Sequence, residues 1–380
     1  MTLPEHAPYS GRCPATSADR DTQETGRERY KHCKLEQSEL TYTHSAQSYS
    51  IMHRKMLVSV IALAGSLGLF AAIAQAGTPS QVCRSITQYS VIELPFIPRV
   101  ITSSGVVAGI TELHRAVLWR RKSGVEELSV PEGFKFTEPV AITKAGDVLI
   151  DAFDAKGHKR GAFAYSNHAL VALAGNQTWA RGVSAAGTIV GEWVPEGKTI
   201  TDAVYWSNTV PHSIGLCCGG MLKAVNERGD MVGDAYDDRG HYHAFSWSPG
   251  SGQRIIDPAD SYSSAVGINS AGHILLQVGS EAYLDDTRHL RHLNLSEKFY
   301  NGVQAMNDCD VVVGAYGPDS EHYRAFLWNE TQGFRNLSSF VPGDSGWELQ
   351  SAAAINNQGE IVGSGELRGD DRGFLLIPQH

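Results

Sequence analysis

Along residues 98–380 the apolar and polar positions fall into one pattern that returns seven times. A short apolar strand ends in Asn, Ser or Thr, a residue suited to a turn follows three places later, and a second apolar strand begins at once. The copies read PRVITSSGVVAG (98–109), PVAITKAGDVLI (139–150), ARGVSAAGTIVG (180–191), LKAVNERGDMVG (222–233), AVGINSAGHILL (265–276), VQAMNDCDVVVG (303–314) and AAAINNQGEIVG (352–363). Their turn residues are Thr102, Thr143, Ser184, Asn226, Asn269, Asn307 and Asn356, spaced by 41, 41, 42, 43, 38 and 49 residues. That spacing is the length of one four-stranded propeller blade. Each copy predicts a β-hairpin, because Asn, Ser and Thr open turns and Gly closes them in the left-handed conformation. The sixth copy has Asp310 in place of Gly, and Asp is among the residues that tolerate that conformation.

A third strand follows in every copy, as in HRAVLW (114–119), YHAFSW (242–247) and YRAFLW (323–328), and a fourth follows in all but the last. The seventh copy ends after DRGFLL (371–376), so its blade lacks an outer strand. Tyr89 to Leu94, YSVIEL, reads as a fourth strand standing before the first repeat. The predicted fold is therefore all-β, a seven-bladed β-propeller closed by the N-terminal strand completing the last blade. Such closure leaves no open edge between the two ends of the chain. Trp119, Trp206, Trp247, Trp328 and Tyr165 end third strands covered on both faces, and are expected in the core.

Before the repeats stand His53, Arg54 and Lys55, then an apolar run from Leu57 to Ile73 ending at Ala74-Gln75-Ala76. The run is too short and too interrupted for a membrane span and has the form of a signal peptide, residues 52–76, cleaved after Ala76. Met52 would give it an ordinary start. Residues 1–51 are polar and aperiodic, and are expected to be disordered or an untranslated upstream segment. The mature chain, 77–380, is thus expected in a periplasm or outside the cell, with no membrane insertion after cleavage. Residues 1–76 hold 8 Lys or Arg and 7 Asp or Glu, which leaves 24 basic and 34 acidic side chains and a net charge of −10. An acidic balance without basic clusters argues against nucleic acid as a partner. Cys83, Cys217, Cys218 and Cys309 then lie in an oxidising compartment, and a Cys83–Cys309 bond is expected if the two ends of the chain approach.

The combination INxxGxIVG followed by xAFLW resembles the bacterial extracellular HAF-repeat family, whose motif stands here as His243-Ala244-Phe245. The likeness covers residues 89–380, although Ile150 and Leu276 replace the final Gly in copies two and five, and Asp285 replaces an aromatic. It implies export and a propeller-like fold, and it implies no established activity.

Function is expected outside the repeated grammar, on the face where crossings from an outer strand to the next inner strand emerge together with the loops between second and third strands. The crossings carry Phe136, Trp179, Tyr262, Tyr300 and Trp347, and the loops carry Asp237, Asp238 and Glu321 among other polar residues. Aromatic faces cover C–H surface while carboxylates accept hydroxyl or amide protons, so the set suits a carbohydrate or a peptide. The competing reading is that these rings plug gaps between blade tops. Asp237, Asp238, His241 and His243 have the chemistry of metal ligands, but acidic surface loops commonly carry such sets, and no metal or other cofactor is expected. No nucleophile elbow, phosphate loop or HExxH is present. The expectation is a monomeric binding module. A carbohydrate-active hydrolase or lyase with a site dispersed over several blades, and an envelope docking scaffold, remain the alternatives.

Overall fold

A computed structural model describes residues 86–379, apart from 157–159, 167, 176, 208, 257–261, 296–299 and 319–321 and the side chains of 300 and 301. The predicted residues 1–51, the signal peptide and Cys83 lie outside the described residues, as does Glu321. Seven four-stranded antiparallel sheets follow one another along the chain. Their inner strands are Ile97–Ile101, Phe136–Ile142, Thr178–Val183, Gly220–Val225, Ser263–Ile268, Tyr300–Met306 and Trp347–Ile355. Among the described residues the only helix is a 3-10 turn at Leu337–Phe340, and no helix is long and apolar enough to cross a membrane.

The ends of the chain meet as the sequence predicts. Gln88–Leu94 forms the outer strand of the last blade, antiparallel to Asp370–Gln379, with Val91 opposite Leu376 and Glu93 opposite Phe374. The larger apolar clusters are shared between neighbouring blades rather than confined to one. Leu94, Val362 and Leu375 of the last blade bury against Val107 and Val117 of the first, so hydrophobic burial itself closes the ring. Trp206, Trp328 and Tyr165 are buried as expected. Trp119 and Trp247 are only half-buried, packed against the rims of their clusters.

The repeat motif is explained residue by residue. In each turn the residue at the Gly position has positive φ, and Asp310 adopts φ 55° in the sixth. The asparagine Oδ1 atoms collect two backbone N–H groups each; Asn307 takes those of Cys309 and Val311 at 3.0 and 3.1 Å. Their amide groups then reach across to the next blade. Asn226 Nδ2 donates to the Asn269 carbonyl at 3.3 Å, Asn269 to Asn307 at 3.4 Å, Asn307 to Asn356 at 3.1 Å, and Asn356 to Thr102 at 2.9 Å. Thr102, Thr143 and Ser184 cap their own turns through a hydroxyl.

A second clamp joins the Ala of the xAF motif to the following blade. The buried hydroxyls of Thr137, Thr178 and Ser263 accept the N–H groups of Ala116, Ala162 and Ala244. The Gly that ends the IVG segment is required by close approach: a Cβ on Gly363 would stand 1.9 Å from the Ser351 carbonyl oxygen and 2.6 Å from the Phe374 ring. Each inner strand also bulges three residues before its turn, at Arg99, Val140, Arg181, Lys223, Val266, Gln304 and Ala353. Bulges twist and bend a strand locally, as inner strands around a narrow axis require.

Candidate ligand-binding site

The crossing face distributes the predicted residues over three parts of the ring. Phe136 begins the inner strand of the second blade, half-buried, edge-on to His114 at 6.1 Å and beneath the Lys135 ammonium at 5.1 Å. Trp179 begins the third blade, and the Arg160 guanidinium lies 5.5 Å from its ring and 5.2 Å from Phe153. Arg160 thereby ties the tops of two blades together. Trp347 meets Phe374 edge-on at 6.0 Å and packs on the core of the last blade. These three rings are each half-buried and engaged by a neighbour. Tyr300 begins the sixth inner strand.

Tyr262 behaves differently. It is 50% exposed, and its ring lies 4.8 Å from His241 and 5.2 Å from Tyr242, both on the preceding blade. The three rings form one patch, and sequence reading had named only Tyr262 from it as a ligand-facing ring. The loop beside the patch is built by Asp237, whose Oδ1 accepts the N–H groups of Arg239 and His241 at 2.9 and 2.8 Å. Its other oxygen lies 3.5 Å from His243 Nε2 and 3.8 Å from His241 Nδ1. Partial burial pushes the Asp237 carboxyl upward, but the two N–H donors outweigh it and hold the group below its ordinary range. Asp237 is therefore the residue that shapes the loop, and Asp238 and Arg239 are the exposed charges the loop presents. Burial, reinforced by the nearby Asp234 carboxylate, pushes the Tyr242 hydroxyl up and keeps it a neutral donor. Among the described residues no group of three or more His, Cys, Asp or Glu side chains is arranged to hold a metal ion. Cys217 and Cys309 each stand in a disulfide bond, and Cys83, the expected partner of Cys309, lies outside the described residues.

Below the crossing face lies a buried ladder of charge that the sequence reading did not single out. The fourth residue of the second strand is an acid in three successive blades: Asp151, Glu192 and Asp234, all buried. Asp151 Oδ1 accepts the Ala180 N–H of the next blade at 2.9 Å, and Asp234 Oδ1 accepts that of Ala265 at 3.1 Å. Two bulge residues answer the acids, with Arg181 2.5 Å from Glu192 and Lys223 2.5 Å from Asp234. The second blade has Val140 at its bulge, so no bulge base answers Asp151 from its own blade, and Asp151 faces Glu138 across the strand pair. Burial raises the Asp151 carboxyl to about 7, with Arg181 opposing and Glu138 and Glu192 adding to the rise. The signal was visible in VLID, IVGE and MVGD, where a charge interrupts a strand that is otherwise apolar.

The opposite face, formed by the hairpin turns, holds a cavity of about 220 Å³. Ile101, Val225, Ile268, Met306 and Ile355, each the residue before a turn, contribute to its lining from the first, fourth, fifth, sixth and seventh blades. Five blades converge on one cavity only at the ring axis.

No family model and no curated protein matches the chain. Solved structures similar to it include that of YCF48 bound to a D1 peptide, at 12% identity over 78% of this chain and 98% of that one, with a TM-score of 0.49. Virginiamycin B lyase from Staphylococcus aureus matches at 9% identity over 76% and 100% of the two chains, TM-score 0.49. The WD40 β-propeller domain of Doa1 matches at 13% identity over 76% and 96%, TM-score 0.45. At such identities the likeness concerns the fold alone, and the fold is a seven-bladed β-propeller.

Proposed function

We propose that the chain is an exported binding module of the HAF-repeat type, and that its crossing face takes a carbohydrate or peptide ligand at the junction of the fourth and fifth blades. The observation that carries this reading is the half-exposed Tyr262 ring set against His241 and Tyr242 beside the exposed charges of Asp238 and Arg239. Three rings supply apolar surface for the C–H face of a sugar or for a peptide side chain, while the neighbouring carboxylate and guanidinium supply a directional acceptor and donor. The Tyr262 hydroxyl makes no hydrogen bond among the described residues and is available to such a ligand. Phe136, Trp179 and Trp347 are half-buried, whereas Tyr262 is 50% exposed. Export follows from the apolar segment 57–73 and its small-residue cleavage site.

A glycan array and a peptide library read against the wild type and Tyr262→Ala test the site. Retention by the wild type should disappear in the variant while the thermal midpoint stays put, since a half-exposed surface ring contributes little to folding. Binding that survives in Tyr262→Ala would move the site elsewhere. N-terminal sequencing of the protein recovered from the periplasm or medium of a bacterial host should begin at Gly77.

A further inference from the structure

The axial cavity of the turn face carries two carboxylates at its rim, Glu227 and Asp308, one residue beyond the turn asparagines of the fourth and sixth blades. Both are held in place by neutral donors. Glu227 Oε1 accepts the Ala185 N–H at 3.1 Å. Asp308 accepts the Ser270 N–H at 2.8 Å, the Ser270 hydroxyl at 3.0 Å and the Asn357 amide at 2.6 Å. Such donors orient a carboxylate and leave its charge in place, and among the described residues neither acid makes an ion pair. Three other acids of this face have a basic or imidazole neighbour: Glu360 has Arg121, Asp230 has Arg228 at 2.9 Å, and Asp310 has the His273 ring at 2.9 Å. Lys144 occupies the corresponding position on the second blade but does not line the cavity.

The cavity therefore joins two fixed, uncompensated negative charges to walls of asparagine and serine and a small apolar floor that includes Val225 and Met306. Glu227 and Asp308 are the only His, Cys, Asp or Glu side chains in the lining, short of the three or more that would gather a metal ion, and an anion would be repelled. A small organic cation suits the lining: its charge and N–H groups face the Glu227 and Asp308 carboxylates and the Ser103 hydroxyl, and a short methylene stem rests on the apolar floor. We propose that this cavity binds a primary alkylammonium group, on the face opposite the Tyr262 patch and independently of it. The group has two natural sources, a free diamine or a lysine side chain of a peptide, and the chemistry is the same for both.

The test is calorimetric titration of the purified protein with 1,4-diaminobutane, with Nα-acetyl-lysine amide and with 1-butanol as a neutral counterpart. Either amine should bind and 1-butanol should not, and binding should weaken as salt is raised. Binding by the diamine alone assigns a free polyamine; binding by the lysine derivative alone assigns a peptide. Glu227→Gln keeps the acceptor for Ala185 and removes the charge, so it should weaken the amine about fivefold, the factor a partly exposed ion pair commands. Ser103→Lys places an ammonium of the protein's own at the exposed rim and should abolish binding, with both variants unfolding at the wild-type temperature. Equal affinity for 1-butanol, an unaltered affinity in Glu227→Gln, or no heat with either amine at about 10 mM, where even weak small-molecule sites fill, would overturn the proposal.

Discussion

The Tyr89 hydroxyl donates a 3.1 Å hydrogen bond to the carbonyl of Gly359, 270 residues further along the chain, inside the core of the last blade. Tyr89 is 1% exposed and lies edge-on to Phe340 at 6.2 Å, so one side chain ties the first strand both to the last turn and to the sixth blade's exit. Burial of the phenol pushes its ionisation far above the ordinary tyrosine range, and the group stays a donor at any physiological pH. Tyr89→Phe should cost about 1 to 3 kcal/mol, because the buried Gly359 carbonyl loses a partner. Tyr89→Ala should cost about 3 to 5 kcal/mol and release the first strand. Urea unfolding gives the two losses, and hydrogen exchange in Gln88–Leu94 should accelerate in the alanine variant ahead of the other outer strands.

The amide relay between turns predicts a smaller and more local effect. Asn307→Ser retains an oxygen that can accept the turn's own N–H, as the Ser184 hydroxyl does for Thr188 at 3.2 Å, and loses the amide bond to the Asn356 carbonyl. A loss of about 1 kcal/mol in urea unfolding is expected, the worth of one internal hydrogen bond. Asn307→Ala also strands the N–H groups of Cys309 and Val311 and should cost roughly two to three times as much. Equal losses in the two variants would show that the inter-blade amide carries all of the residue's contribution.

How far the sequence reaches is clear from these residues. The blade count, the turns and the closing strand were legible because each repeated position performs a repeated job: Asn collects two N–H groups, Gly or Asp310 turns the chain, and Gly363 and its equivalents admit the inner-strand carbonyl. The acid ladder was hidden for the opposite reason. Asp151, Glu192 and Asp234 occur in three blades of seven, and two of them satisfy a neighbour 29 or 31 residues away whose N–H no sequence pattern announces. The axial cavity escaped because Ile268 or Met306 reads as an ordinary strand residue until the ring is closed around it. On the crossing face, aromatic residue type alone did not separate the half-buried Phe136, Trp179 and Trp347 from the exposed Tyr262, since burial there depends on what the adjacent blade places opposite.

Asp151 makes stability depend on pH in a direction opposite to that of most protein carboxylates. Burial sets its folded pKa at about 7, against an ordinary 3.8 in the unfolded chain, with the Arg181 charge and the Ala180 N–H opposing the shift and Glu138 and Glu192 reinforcing it. Below about pH 4 both states hold the proton and the group is neutral in the balance. As pH rises towards 7 the unfolded chain releases the proton while the folded chain retains it, so this group progressively favours unfolding, and above 7 the loss levels off at a few kcal/mol. Asp151→Asn keeps an oxygen for the Ala180 N–H and removes the ionisation. Its thermal midpoint should match the wild type near pH 4 and exceed it by a margin that grows up to about pH 7 to 8, the folded-state titration range. Scanning calorimetry of the two proteins across that range decides the matter: a difference that does not change with pH would mean that Arg181 and its neighbours keep Asp151 ionised throughout.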